Sequence, residues 1–124
     1  MDGVQLPLVI AGGALGALAR HLVLLPSDGS LLVLVAINIG GSAVLGLVTG
    51  ALGDRGRWRA FCGTGVLGGF TSYSALAPFL GALPLAGVGA VAGYAALAVA
   101  SLAAVGAALG GLATGSAWTR GRRA

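Results

Sequence analysis

Hydrophobic residues run along this chain in four long stretches, with no alternation of period two and no one-sided helical stripe. The stretches cover about residues 4–25, 31–52, 60–80 and 85–112, and polar residues gather in the short gaps between them and at the two ends. Each is long enough for a helix that crosses a bilayer, which takes about 20 residues. The pattern predicts an all-α membrane protein made of one four-helix unit over 1–124. A soluble bundle would need polar faces, whereas these stretches are apolar or small all round. The first stretch is no cleavable signal peptide, because it lacks a basic start and its apolar part exceeds the roughly 7–15 residues of such a segment.

The third stretch differs from the others. Gly63-Thr64-Gly65-Val66-Leu67-Gly68-Gly69-Phe70-Thr71-Ser72-Tyr73-Ser74 puts glycines and hydroxyl residues at mid-span. Glycine frees the backbone from the helix, and Ser and Thr re-satisfy the groups that are freed. Irregular backbone at membrane depth is tolerated where it is buried in protein or lines a wet path. The third helix is therefore expected to be broken at mid-span, with the function located there. Gly63 to Gly68 also spells GxGxxG, but dinucleotide binding by that motif requires a preceding strand and a βαβ unit, and the pattern offers neither.

Composition agrees with the membrane reading. Of 124 residues, 57% are hydrophobic and 8% charged, against about a quarter charged in a soluble domain; the mean hydropathy is +1.00. Every basic residue other than His21 is arginine. Arg55, Arg57 and Arg59 lie between the second and third stretches, Arg120, Arg122 and Arg123 follow the fourth, and the gaps at 27–30 and 81–84 carry none. With an even number of spans the positive-inside rule places both termini in the cytoplasm, by six arginines to zero. The isoelectric point near 10.7 thus reports topology rather than a nucleic-acid partner. Small residues one turn apart, as in Gly12/Gly16, Ser42/Gly46, Gly46/Gly50 and Gly106/Gly110, let helix backbones approach closely, and so short a chain is expected to oligomerise.

Few side chains can carry chemistry. Asn38 stands in the middle of the second stretch, either as glue between helices or as an amide donor facing a pore. Arg20, late in the first stretch and toward the outside, either snorkels to the interface or attracts anions into a vestibule. His21 is interfacial, and Cys62 is a small core residue. Asp2, Asp28 and Asp54 all lie outside the spans, so no carboxylate sits at membrane depth. Proton-coupled exporters use such acids, which disfavours a small secondary exporter. No base, nucleophile pair or metal cluster can be assembled, so an enzyme is not expected. What remains is a path lined by the neutral donors Asn38, Thr71, Ser72, Tyr73, Ser74 and Ser101, which bind an anion weakly enough to release it.

At this point the chain resembles the Fluc (CrcB-type) fluoride channels. The features occur in order: Gly12-Gly13-Ala14-Leu15-Gly16-Ala17-Leu18-Ala19-Arg20-His21, then Asn38-Ile39-Gly40-Gly41-Ser42, then Gly68-Gly69-Phe70-Thr71-Ser72-Tyr73-Ser74, then Tyr94 and Ser101. The resemblance implies an antiparallel dimer with two fluoride pores between oppositely oriented subunits. It also implies a structural Na⁺ on the dimer axis, held by the backbone carbonyls of Gly68 and Thr71, which are then expected to be non-helical. Asn38, Tyr73, Ser74, Leu76 and Ser101 would line the pore, with Arg20 in its vestibule. The family's pair of pore phenylalanines falls at Tyr73 and Leu76, its Ser-Thr between the rings at Ser74-Ala75, and its following acid at Phe79, so this chain departs from the pattern at several pore contacts.

The reading is a passive fluoride-selective channel subunit that exports cytoplasmic fluoride. The alternatives are a non-conducting accessory or scaffold subunit and a small secondary exporter. A homodimer of opposed subunits needs a chain that inserts both ways, and the six-to-zero arginine bias argues against that. Together with the departures at Ala75 and Leu76, it favours a heterodimer with a paralogue of opposite orientation, with a homodimer as the alternative.

Overall fold

The computed structural model describes residues 5–53, 55–72, 74–83 and 86–122. Among these residues the chain is helical with no strand. Helix α1 spans Gln5–Leu24 and is followed by a 3₁₀ turn at Leu25–Ser27. Helix α2 spans Leu31–Leu52. Helix α3 is composite: Gly56–Trp58, a π-helical stretch Arg59–Leu67, and a last α turn Gly68–Phe70. A 3₁₀ turn at Ser74–Leu76 leads into α4, Ala77–Gly81, and α5 spans Val88–Gly121. Three helical stretches, Gln5–Ser27, Leu31–Leu52 and Val88–Gly121, are long and apolar enough to cross a membrane.

The third apolar stretch is interrupted, as expected, but not by its glycines. Gly68 is helical at φ −63°, ψ −38°, which corrects the expectation that it would be non-helical; the backbone becomes extended at Thr71, φ −83°, ψ 137°. The glycines serve packing instead. Gly65 lies against Val9 and Gly12, and Gly69 lies against Gly13, so close that a Cβ on either would strike the α1 backbone. They also admit a wider coil: the Gly68 N–H donates to the Gly63 carbonyl five residues back.

Lipid tails are as apolar as Leu, so helices in a membrane gain by close van der Waals contact rather than by burial from water. Both major seams of this molecule work that way. Gly12 abuts Phe61 and Gly65, and Gly16 abuts Val66 and Phe70, so α1 and α3 run parallel. Gly46 abuts Ala108, Gly50 abuts Leu112 and Ser116, and Gly111 and Gly115 abut Ala43 to Ala51, so α2 and α5 also run parallel. The seam on α5 uses Gly111 and Gly115, while Gly106 and Gly110 meet nothing of this chain within 4 Å. A Cβ at Gly46 would fall on the Ala108 carbonyl. Gly46→Ala is therefore expected to lower stability by about 1–3 kcal/mol, while Gly106→Ala, which meets no other part of this chain, gains helix propensity and leaves the subunit's own packing intact. Thermal melts of the two variants in detergent check this contrast.

Helix α5 continues past Leu112, where the apolar stretch fades, and its hydroxyl residues there bond back to carbonyls of their own helix. Thr114 donates to Gly111 at 2.8 Å, Ser116 to Ala113 at 3.0 Å, and Thr119 to Ser116 at 2.9 Å.

Candidate functional site

The break between α3 and the 3₁₀ turn lies beside the middle of α2, and one side chain joins them. Asn38 is 3% exposed and is the buried polar side chain among the described residues. Its Oδ1 accepts the Ser72 N–H at 2.8 Å, while its Nδ2 donates to the Ser72 carbonyl at 3.4 Å and to the Leu34 carbonyl of its own helix at 3.1 Å. Both backbone groups of Ser72, left without helical partners by the extended Thr71, are thus met by one amide. A backbone group buried without a partner costs about 1–3 kcal/mol, so Asn38 is what makes the break affordable inside an apolar bundle. Among the described residues no buried side-chain polar atom lacks a partner.

The clamp has a consequence for Gly68. In an unbroken helix its carbonyl would accept the Ser72 N–H, but that N–H is turned to Asn38. Leu67 is different, since its carbonyl accepts both the Thr71 N–H at 2.9 Å and the Thr71 Oγ1 at 3.0 Å. Gly68 remains helical and yet presents a carbonyl released from the ladder. Gly41, one turn above Asn38, leaves the space taken by the Phe70 ring and the Thr71 methyl group.

Past the break, the Ser72 and Ser74 hydroxyls lie 2.8 Å apart. Only one hydroxyl hydrogen can sit between them, so the second is free to donate elsewhere. Ser72 and Thr71 are half-buried and Ser74 is exposed. Leu76 is 5% exposed and packs into the chain itself. Tyr73 lies outside the described residues. Ser101 is half-buried on α5, and its hydroxyl donates to the Leu97 carbonyl at 2.8 Å. Arg20 is half-buried just before the last turn of α1. The structure thus brings Asn38, Gly68, Thr71, Ser72 and Ser74 to one place. Among the described residues no group of three or more His, Cys, Asp or Glu could hold a metal ion. The oxygen atoms gathered at the break are backbone carbonyls, hydroxyls and the Asn38 amide.

Sequence reasoning placed Asn38 and the break separately. It could not show that they touch, because the contact spans 34 residues. Nor did it single out Gly41 as the neighbour that accommodates Phe70.

The family described as CrcB-like protein, Camphor Resistance (CrcB), matches residues 7–112. The "Fluoride-specific ion channel FluC 2" of Leifsonia xyli subsp. xyli is 41% identical over 128 residues, covering 94% of this chain and 87% of that protein. From the same strain, "Fluoride-specific ion channel FluC 1" is 46% identical over 83 residues, 57% of each chain. The "Fluoride-specific ion channel FluC 2" of Nitrobacter hamburgensis is 43% identical over 81 residues, 55% of this chain; the chain spans 62% of that relative's length. No solved structure matches. Parallel glycine seams, a break held by a mid-helix Asn and these matches agree: the chain belongs to the CrcB-like family, a family of ion channels and not of enzymes.

Proposed function

We propose that this chain is one subunit of a passive, fluoride-selective channel that lets cytoplasmic fluoride leave across the cell membrane. The observation that carries the reading is the Asn38 clamp on Ser72. It holds an unwound, hydroxyl-bearing segment at the middle of an apolar bundle, where only a wet path or a ligand gives such a segment a use. The relatives' printed names supply the identity of the anion.

The residues suggest how an anion would move. The spare hydroxyl hydrogen of the Ser72/Ser74 pair is a neutral donor on the exposed side of the break. The Asn38 Nδ2 bond to Ser72 is long at 3.4 Å and is the one an anion can compete for, while the 2.8 Å bond keeps the clamp in place. Tyr73 and Ser101 complete the proposed lining, and Arg20 would draw anions into the vestibule by its charge; Leu76, 5% exposed, packs into the chain and is not part of it. Neutral donors without a fixed cation inside the path favour release over trapping. A structural Na⁺ fits the released Gly68 carbonyl and the extended Thr71, whose carbonyls would hold it; when bound, it supplies a positive charge that ties two breaks together.

The packing supports four crossings. With α2 and α5 parallel, the segment 56–83 would return across the membrane between them. The one-sided arginines favour both termini in the cytoplasm. Gly106 and Gly110 leave a small-residue face open on α5, which supports packing of a second subunit in inverted orientation. The one-sided arginines, and the occurrence of a FluC 1 and a FluC 2 in one Leifsonia strain, favour a paralogue as that subunit. A second reading, an accessory subunit that does not conduct, is favoured by Leu76, which is neither aromatic nor open to a path.

Growth of fluoride-sensitive cells lacking their own fluoride channels tests the proposal. Expression of this chain with its paralogue should restore growth at fluoride concentrations that arrest the parent cells. No rescue by the pair would count against conduction and for the accessory reading.

A further inference from the structure

Helix α2 stops at Leu52 while α5 continues to Gly121, so the last turns of α5 stand beyond the end of its partner. A cavity of about 820 Å³ lies there, lined by the end of α2 together with Arg55, Ser116, Trp118, Thr119, Arg120 and Arg122. The Arg122 guanidinium stacks on the Trp118 ring, 4.2 Å from its centroid. Two carbonyls at the negative end of α2 are already covered: the Arg55 N–H donates to Leu52 at 3.2 Å and the Arg59 Nη1 to Gly53 at 3.3 Å. Ser116 and Thr119 spend their hydroxyl hydrogens on their own helix, so toward a ligand they act as acceptors. In sequence, Asp54 is the one acid beside six arginines.

We infer that this cavity binds the headgroup of an anionic glycerophospholipid. The phosphodiester charge meets the guanidinium groups of Arg55, Arg120 and Arg122, and headgroup hydroxyls donate to the acceptors of Ser116, Thr119 and the α2 end. The position selects a lipid over free phosphate. Trp118 marks the interfacial level, and Leu109 and Leu112, 62% and 40% exposed one to two turns earlier on α5, offer an apolar path for acyl chains that a free ion does not use. Basic pockets between helices at a membrane face are suited to such headgroups.

Titration of the purified full chain in neutral detergent, followed by thermal unfolding, tests this. Phosphatidylglycerol should bind and raise the melting temperature, and phosphatidylcholine or inorganic phosphate should not. Each arginine lost should weaken phosphatidylglycerol binding about five-fold, measured in Arg55→Gln and in the exposed Arg120→Gln/Arg122→Gln pair. Arg57→Gln, outside the cavity, should bind as the parent does. Equal shifts with phosphatidylcholine, full reproduction by inorganic phosphate, or an equal loss in Arg57→Gln would overturn the inference.

Discussion

Asn38→Asp is expected to abolish fluoride flux while the protein still folds and assembles. The carboxylate keeps one half of the clamp, because an oxygen can still accept the Ser72 N–H that Asn38 Oδ1 takes at 2.8 Å. It loses the other half, since the donors to the Ser72 and Leu34 carbonyls become an oxygen facing two oxygens. At 3% exposure, that group either stays charged or takes up a proton. The charged form sets a fixed negative charge in the anion's path, and the protonated form donates one hydrogen where the amide had two. Flux through reconstituted protein and its elution on size exclusion are the two readouts. A variant that assembles and conducts normally would leave Asn38 with the clamp alone and no part in conduction.

The same residue shows what the sequence could and could not disclose. The limits of α2 were legible because an uninterrupted apolar run ends at glycine and charge on one side and at Ser30 on the other. The existence of a break was legible too, from glycine and hydroxyl residues at membrane depth. Its position was not. Glycine is as ready to pack against another backbone as to unwind, and Gly65 and Gly69 are held helical by α1. The chain leaves the helix where an amide 34 residues away offers a better partner than the next turn does, and no local pattern encodes that. The π-helical stretch Arg59–Leu67 has no compositional mark for the same reason. The end of α5 was hidden by hydropathy, which fades at Ala113 to Ser116, where the hydroxyls are satisfied by carbonyls of the helix itself and Gly115 still packs on α2.

The second large expected effect concerns assembly. This chain expressed alone should not yield a conducting dimer, whereas co-expression with its paralogue should. All six arginines outside the spans fall on one face under the proposed four-span topology, and polybasic ends resist translocation. An inverted copy of this chain would have to carry them across. The lining also differs along the chain: Leu76 is buried and lacks a ring, and Ala75 lacks a hydroxyl, so a partner that retains both would supply contacts this subunit does not. Purification of the single chain followed by crosslinking and flux measurement decides between the two assemblies. A stable, conducting antiparallel homodimer would remove the need for a paralogue.

The most direct measurement is fluoride release from liposomes loaded with fluoride and chloride, reconstituted with this chain and its paralogue, with the membrane potential set by potassium and an ionophore. Conduction through the break requires that fluoride leave until it balances the potential, with no pH gradient supplied and with chloride retained. Release that depends on a pH gradient would identify an exporter instead, and fluoride retained in liposomes holding well-assembled protein would contradict the channel outright.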